Sequence, residues 1–181
     1  MQRRLTLPAL LVACACLLAG VGIGAGGASA AGQPARTIAA ADPLEHLVLA
    51  ELNAVRRSHG LRPLRHSPPL SAAADAHSRA MGRFGFFGHE SRDGAAFWHR
   101  VKRFYGPRGA GWSVGENLLW STPGLDAPGA VSLWMQSPGH RRNILTARWR
   151  EIGLSAVTVA AAPGVFGGRD VLIITTDFGA R

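Results

Sequence analysis

Three short motifs hold the side chains whose types could do chemistry. Residues 86–90, with the sequence FFGHE, place His89 just after a predicted helix ends. Residues 115–118, with the sequence GENL, place Glu116 in a predicted tight turn. The third motif has the sequence SPGHRRN and carries His140. Each motif alone is weak evidence for a site, since loop histidines and single glutamates are mostly solvated surface residues.

Taken together, these three side chains have the composition of a metal site. Two neutral imidazoles and one carboxylate can bind zinc and leave a fourth position open, which is the pattern of catalytic zinc. The helical H-E-x-x-H motif is absent, because Asp93 stands where its second histidine should be. A site of His89, Glu116 and His140 would therefore be assembled from distant segments, and its ligands would need supporting hydrogen-bond partners. The nearest candidates along the chain are Asn117, Ser137 and Arg141.

Two roles remain open for this set. In the first, the side chains line a ligand cleft, and the histidines bond backbone carbonyls that fix the surrounding loops. In the second, Glu116 is a general base and a histidine-bound metal activates water, so that the protein hydrolyses peptide or cell-wall polymer. A paired-carboxylate glycosidase is disfavoured, because the motifs supply one acid where two are needed. No phosphate-binding glycine loop or G-x-S-x-G elbow is present, which argues against a nucleotide cofactor and a serine nucleophile.

Four helices are predicted to position the motifs. Each begins at a residue that favours helix N-termini and continues with apolar side chains at helical spacing. In the first helix, Pro43 and Glu45 add the positions of a capping box. The fourth helix is predicted to end at the Ser-Pro-Gly sequence of residues 137–139. The predicted N-caps of the first three helices are Asp42, Ser67 and Asp93, and the fourth helix is predicted to start near Asp126.

Two strands are predicted to follow the helices. Residues 152–159 and 171–178 are rich in β-branched side chains, and the segment between them contains Pro163 and several glycines. This pattern indicates an antiparallel pair joined by a loop. Helices first and strands last are typical of a layered α+β domain.

The N-terminal residues 1–30 have the pattern of a secretory signal peptide. Two arginines precede an apolar run, and small residues lead to an A-x-A-like cleavage site. Glycines weaken the second half of the run, which disfavours a spanning helix. A membrane anchor through residues 5–27 and a lipoprotein modified at Cys14 stay open as alternatives. We expect a secreted protein.

Cleavage after residue 30 would divide the chain into a linker and one domain. Residues 31–42 are rich in Ala and Gly and are predicted to be flexible, and residues 43–181 are long enough for a single core. Cys14 and Cys16 would leave with the signal peptide, so the mature domain would have neither a disulfide nor a cysteine-bound zinc.

The chain is basic, with 20 Lys and Arg residues against 11 Asp and Glu residues and a formal net charge of +9. A basic exported domain suits an anionic cell-envelope surface, although solubility alone would also account for the charge. Nucleic acid is disfavoured as a partner, because the charges are scattered and no helix-turn-helix or aromatic-basic stacking motif is present.

Together and in this order, the motifs resemble the CAP superfamily. Its SCP domain is shared by cysteine-rich secretory proteins, venom antigen 5 and plant pathogenesis-related proteins, and the likeness is closest to the bacterial branch. The end of the predicted second helix, the EIG sequence of residues 151–153 and the TDFG sequence of residues 176–179 also match. The resemblance spans about residues 43–179, which is nearly the whole predicted domain.

The resemblance implies a three-layer α-β-α sandwich with a small, mainly antiparallel sheet. It also implies a central cleft where two histidines and two acids converge, with a divalent metal in some members. Three positions carry over, as His89, Glu116 and His140, whereas the segment after Trp134 reads MQS and lacks the fourth acid. A metal such as zinc at His89 and His140 would therefore lack one ligand. We expect a non-catalytic binding module whose cleft takes a small apolar, sterol-like, glycan or peptide ligand, with the hydrolase as the alternative.

Overall fold

The structure is a computed structural model, and it describes residues 37–108 and 111–181. The predicted signal peptide and residues 31–36 of the predicted linker lie outside the described residues. Among the described residues, no helix is both long and apolar enough to span a bilayer.

Within the described residues, five helices and five strands form a mixed structure around one sheet. The strand order is β1-β4-β5-β3 with antiparallel pairing, and the short β2 pairs parallel with β4. A 3-10 turn over Gly164–Phe166 joins the last two strands. The strands are β1 (Ile38–Ala40), β2 (Arg65–His66), β3 (Ser113–Ser121), β4 (Glu151–Ala162) and β5 (Arg169–Ala180), and the helices are α1 (Asp42–Ser58), α2 (Pro68–Phe84), α3 (Phe97–Phe104), α4 (Ala127–Gln136) and α5 (Pro138–Ile144).

Alternation along β5 separates two cores, one on each face of the sheet. Leu172 and Ile174 pack with residues of α1 and α4, whereas Val171 and Ile173 pack with Met81 of α2. Successive side chains of a strand point to opposite faces, so these contacts place α1 and α4 on one side and α2 on the other. Helix α3 packs beside α2, through a small cluster that includes Leu70 and Val101. The α-β-α sandwich predicted from the sequence is confirmed.

Gly153 lets α2 approach the sheet closely. A Cβ atom added at Gly153 would lie 2.0 Å from the backbone nitrogen of Ser71, so no other residue fits there without displacing the helix. The hydroxyl of Ser71 accepts a hydrogen bond of 3.0 Å from the backbone N–H of Leu154. The backbone of α2 is thus tied directly to β4.

The first helix differs from its predicted capping. Ala41 is the N-cap, Asp42 lies within the helix, and no side chain caps its first turn. The carboxylate of Glu45 instead accepts a hydrogen bond of 2.8 Å from the backbone N–H of Ala156 in β4. The capping-box prediction was therefore wrong, because a tertiary contact takes the side chain that the local pattern assigns to the cap. By contrast, α4 begins beside Asp126, where a helix start was predicted, and the Asp126 side chain caps it by accepting from the N–H of Gly129 at 2.9 Å.

Four further local predictions need correction. Residues 38–40, which the composition predicts to be part of the flexible linker, instead pair with β4 as an edge strand. Glu116 lies in the middle of β3 and not in a tight turn. Pro138 does not only end α4; it also begins α5, a helix that the sequence did not predict. The third helix starts at Phe97, so Asp93 lies outside it and bonds the N–H of Ala95 at 3.1 Å.

Candidate functional site

The site is centred on Glu116 in β3, at one edge of the sheet. Leu118 belongs to the core on the α2 side and Leu119 to the core on the α1 side. Alternation therefore directs Glu116 towards α2 and α3, and Asn117 towards α5. Because β3 pairs only with β5 among the described strands, it is an edge strand of the sheet. The residues around Glu116 therefore lie at this edge, between the helices on the two faces of the sheet.

Both carboxylate oxygens of Glu116 are engaged. Oε1 accepts a hydrogen bond of 2.8 Å from Nδ1 of His89, and Oε2 pairs with Nη2 of Arg100. The Glu116 side chain is 0 % exposed and that of Arg100 is 5 % exposed, whereas His89 is 48 % exposed. A buried carboxylate thus holds one imidazole at the surface and is neutralised from inside by a guanidinium.

Arg100 is one of the residues of this site that were not predicted from the sequence. It also donates to the hydroxyl of Ser91 at 3.1 Å and to the carbonyl of His89 at 3.4 Å. Arg100 thus fixes the loop that carries His89 as well as the carboxylate of Glu116. Arg100 shares the inward face of α3 with Phe97 and Val101 at helical spacing. A charge on an otherwise apolar face was the signal that could have identified it.

Asp177 is a second acid beside Glu116. The two residues are direct partners in the β3–β5 register, and Asp177 is fully buried. Neither of its carboxylate oxygens accepts a hydrogen bond from a described residue. Burial, and then the negative charge of Glu116, raise the pKa of Asp177 well above its ordinary value. Burial therefore favours the protonated form of Asp177, whereas Glu116 forms the ion pair with Arg100.

Asparagine side chains tie α5 to β3. Asn143 donates to the carbonyl of Glu116 at 2.9 Å and to Oδ1 of Asn117 at 2.8 Å. Asn117 in turn donates to the backbone carbonyl of His140 at 3.1 Å. Asn117 thus supports the backbone of His140 and not its ring, and Asn143 is a positioning residue that the sequence did not predict.

His89 and His140 lie close enough to influence each other. The hydrogen bond to Glu116 raises the pKa of His89, whereas burial and then the positive charge of His89 lower the pKa of His140. His140 is partly buried. The exposed part of the site therefore holds two different imidazoles. The His89 ring takes up a proton more readily than a free histidine, and the His140 ring does so less readily.

His77 has a structural role beside this pair. Its ring is buried, and Nε2 lies 2.8 Å from the carbonyl of Gly88, the residue before His89. Burial lowers the pKa of His77 to about 4, so the neutral ring donates to that carbonyl. This contact anchors the loop that carries His89.

The other two supporting candidates do not contact the three predicted site side chains. Ser137 is the N-cap of α5, and its backbone carbonyl accepts from the N–H of Arg141 at 2.9 Å. The side chain of Arg141 is exposed and lines a groove on the other face of α5. No contact in the described part of the chain gives either side chain a role in orienting His89, Glu116 or His140.

The residues present do not fit a divalent metal as they are arranged. Within residues 37–108 and 111–181, no group of three or more His, Cys, Asp or Glu side chains is placed to hold one. Glu116 is already paired with His89 and Arg100, and a guanidinium beside the carboxylate would repel a cation. Metal binding at His89 and His140 stays a prediction, to be measured.

Comparisons with known proteins agree with this fold and these motifs. The model of the CAP family, the cysteine-rich secretory protein family, matches residues 49–167. The uncharacterized protein YkwD of Bacillus subtilis is 34 % identical over 115 residues, which cover 62 % of this chain and 42 % of that protein. The uncharacterized membrane protein YlbC of the same organism is 28 % identical over 110 residues, which cover 61 % of this chain and 30 % of that protein. The match thus spans less than half the length of either relative.

Solved structures show the same fold at low identity. An extracellular protein containing an SCP domain from Bacillus anthracis superposes with a TM-score of 0.60 and 23 % identity, over 77 % of this chain and 41 % of that one. An outer surface protein of Borrelia burgdorferi superposes with a TM-score of 0.63 and 16 % identity, over 81 % of this chain and 98 % of that one.

Proposed function

We propose a binding function for this chain, which belongs to the CAP (cysteine-rich secretory protein) family. The proposed module acts outside the cytoplasm and holds a glycan-like or small apolar ligand at the cleft formed by His89 and His140. The observation that carries this proposal is the engagement of Glu116. Its two oxygens are paired with His89 and Arg100 and its side chain is fully buried, so it positions an imidazole and does not face a substrate.

The exposed imidazoles suit a ligand with hydroxyl or amide groups. With Nδ1 of His89 donating to Glu116, the other ring nitrogen is left for a ligand, as an acceptor when the ring is neutral and as a donor when it is charged. His140, with its lowered pKa, stays neutral over most of the physiological range and adds an acceptor and a donor. Sugar hydroxyls and acetamido groups can bond with either form.

The proposed location rests on the names of relatives and on the sequence. Two structural relatives are described as an extracellular protein and an outer surface protein, and the first thirty residues have the composition of a signal peptide. An anionic cell-envelope surface is the proposed setting, because the chain carries a formal net charge of +9.

A hydrolase with Glu116 as general base remains the alternative function. A general base must reach the proton that it takes, within about 3 Å or through one water molecule. Both oxygens of Glu116 already have partners, and one partner is a permanently charged arginine that occupies the oxygen a substrate proton would need. No contact of the site favours hydrolysis over binding.

Co-sedimentation with insoluble bacterial peptidoglycan tests the proposed function. We expect the protein to pellet with the polymer, and the variant His89→Ala/His140→Ala to lose about tenfold in affinity, as for two lost hydrogen bonds to a ligand. The variant His46→Ala is the matched control, because His46 is exposed on α1, away from the site. Zinc and EDTA arms show whether a metal contributes; we expect equal binding in both.

Two results would overturn this proposal. Wild-type protein that stays in the supernatant, or a double variant that binds like the His46→Ala control, would remove the cleft from the function. Release of soluble wall fragments by wild-type protein, abolished in Glu116→Gln, would establish the hydrolase instead.

A further inference from the structure

The helix α5 has a second face, turned to a groove that takes no part in the site. With 3.6 residues per turn, Pro138, Arg141 and Arg142 share one side of the helix, whereas His140 and Asn143 lie on the opposite side. The groove between α4 and α5 has a volume of about 550 Å³, within the usual range for small-ligand sites. Its main lining residues are Met135, Gln136, Pro138, Arg141, Arg142 and Leu145.

One part of this α4–α5 groove is apolar. Met135 and Leu145 are partly buried and pack against the core on the α1 side of the sheet. Their remaining exposed surface lies in the groove, where Pro138 adds a further apolar contact. An alkyl chain placed there would continue the core outwards.

The other part of the groove carries two unpaired positive charges. Arg141 and Arg142 are exposed, and neither guanidinium has an ion pair or a side-chain hydrogen bond with any described residue. Nη2 of Arg142 lies over the start of α5, 3.9 Å from where a Cβ atom of Gly139 would be. The stretch 127–150 contains four arginines and no acidic residue, so nothing nearby along the chain compensates these charges.

The apolar part of the groove and its two arginines together indicate which kind of ligand it could bind. Two neighbouring guanidinium groups repel each other, and a doubly charged anion relieves that repulsion better than a single charge. A phosphate monoester carries about −1.5 to −2 charges at neutral pH and matches the guanidinium fork with two oxygens. A carboxylate carries one charge. We propose that the α4–α5 groove binds a phosphate monoester attached to a long apolar chain.

Titration calorimetry with decyl phosphate below its micelle concentration tests this site. We expect wild-type protein to bind it with a dissociation constant of roughly 0.1–1 mM, as for a ligand of this size. Decanoate should bind more weakly because it has half the charge, and the neutral decyl maltoside should not bind at these concentrations. Inorganic phosphate should bind much more weakly than decyl phosphate, since it lacks the chain.

Variants assign the binding to the groove. Arg141→Gln/Arg142→Gln should weaken decyl phosphate binding by roughly 10- to 100-fold, the loss of two charge-assisted contacts. The matched control is Arg57→Gln/Arg62→Gln, which removes two exposed arginines elsewhere and changes the net charge equally. Met135→Gln keeps the length of the side chain but removes its apolar character. It should weaken the binding of decyl phosphate and leave the binding of inorganic phosphate unchanged.

Several outcomes would overturn the proposal. The first is that decyl phosphate does not bind to the wild-type protein. The second is that the two double variants lose equal affinity for it. The third is that inorganic phosphate binds as tightly as decyl phosphate. The peptidoglycan experiment addresses His89, which follows α2, and His140 on the opposite face of α5. Either result can therefore fail without the other.

Discussion

The two faces of α5 differ in how their charges are compensated. On the face towards β3, Asn143 bonds the backbone carbonyl of Glu116, whose buried carboxylate is paired with Arg100 and His89. On the face towards α4, two arginines have no partner among the described residues. Charges paired within the molecule hold the fold in place, whereas charges left unpaired are available to a ligand. Removing a paired charge should therefore destabilise the fold, whereas removing the unpaired arginines should leave its stability almost unchanged.

The largest effect is expected at Arg100. Its replacement in Arg100→Ala leaves the charge of Glu116 buried without its internal partner, and breaking a buried pair in this way costs about 3–5 kcal/mol. Urea denaturation followed by fluorescence measures the loss of unfolding free energy, which we expect to lower the melting temperature by about 10 °C.

The matched control for Arg100 is Arg103→Ala on the same helix, where the side chain is exposed. We expect this control to stay within about 0.5 kcal/mol of wild type. The pair Arg100→Met/Glu116→Gln should lose less than the sum of its single variants, because neither partner is left charged. Equal stability of Arg100→Ala and Arg103→Ala would show that the buried pair does not form.

A smaller effect of opposite sign is expected at Asp177. Its pKa in the folded protein is raised above the ordinary 3.8, so the folded state binds this proton more tightly than the unfolded state does. Stability from this group is therefore complete below about pH 4 and is lost as the pH rises through the raised pKa. Asp177→Asn does not ionise and keeps its neutral contact with Glu116, so we expect a gain of about 1–2 kcal/mol at pH 7.

The pH dependence of the gain identifies its cause. The stability difference between Asp177→Asn and wild type should shrink towards zero between pH 7 and pH 4, as measured by denaturation at each pH. A variant that is less stable than wild type at pH 7 would mean that Asp177 is charged and that Arg100 serves both acids.

The smallest effect on stability is expected in the groove. Arg141→Gln/Arg142→Gln removes two charges that have no partner among the described residues, so its unfolding free energy should stay within about 0.5 kcal/mol of wild type, or rise slightly as repulsion is relieved. Thermal melts in low salt, where the repulsion is least screened, give the most sensitive comparison. A loss of more than about 1 kcal/mol would mean that these arginines support the fold and would erase the contrast between the two faces.

The fold could be predicted from the sequence because the motifs occur in order along nearly the whole domain, and because alternation in β5 and helical spacing in α1 and α2 are strong signals. Local details were harder. Glycine and asparagine around Glu116 are typical turn residues, yet the segment is a strand, because it pairs with β5 along its whole length. At this position, contacts with residues far along the chain override the local turn propensity.

The electrostatics of the site could be predicted least. The sequence identifies His89 and Glu116 as candidates, but it contains no direct sign that Arg100, sixteen residues before Glu116, supplies the compensating charge. Asp177 likewise lies in an apolar strand, and its proximity to Glu116 depends on the β3–β5 register. Register and the packing of α3 are properties of the tertiary structure, and they decide which charges meet.

The strand β1 also has a practical consequence for handling the protein. It forms the sheet edge opposite β3, so the chain enters the domain three strands away from Glu116, a distance of about 14 Å across the sheet. The last strand ends at Ala180, directly opposite Ser113 at the start of β3. A fluorophore coupled at residue 37 would therefore start from the far edge of the sheet, whereas a group fused after Arg181 would start three residues along β3 from Glu116.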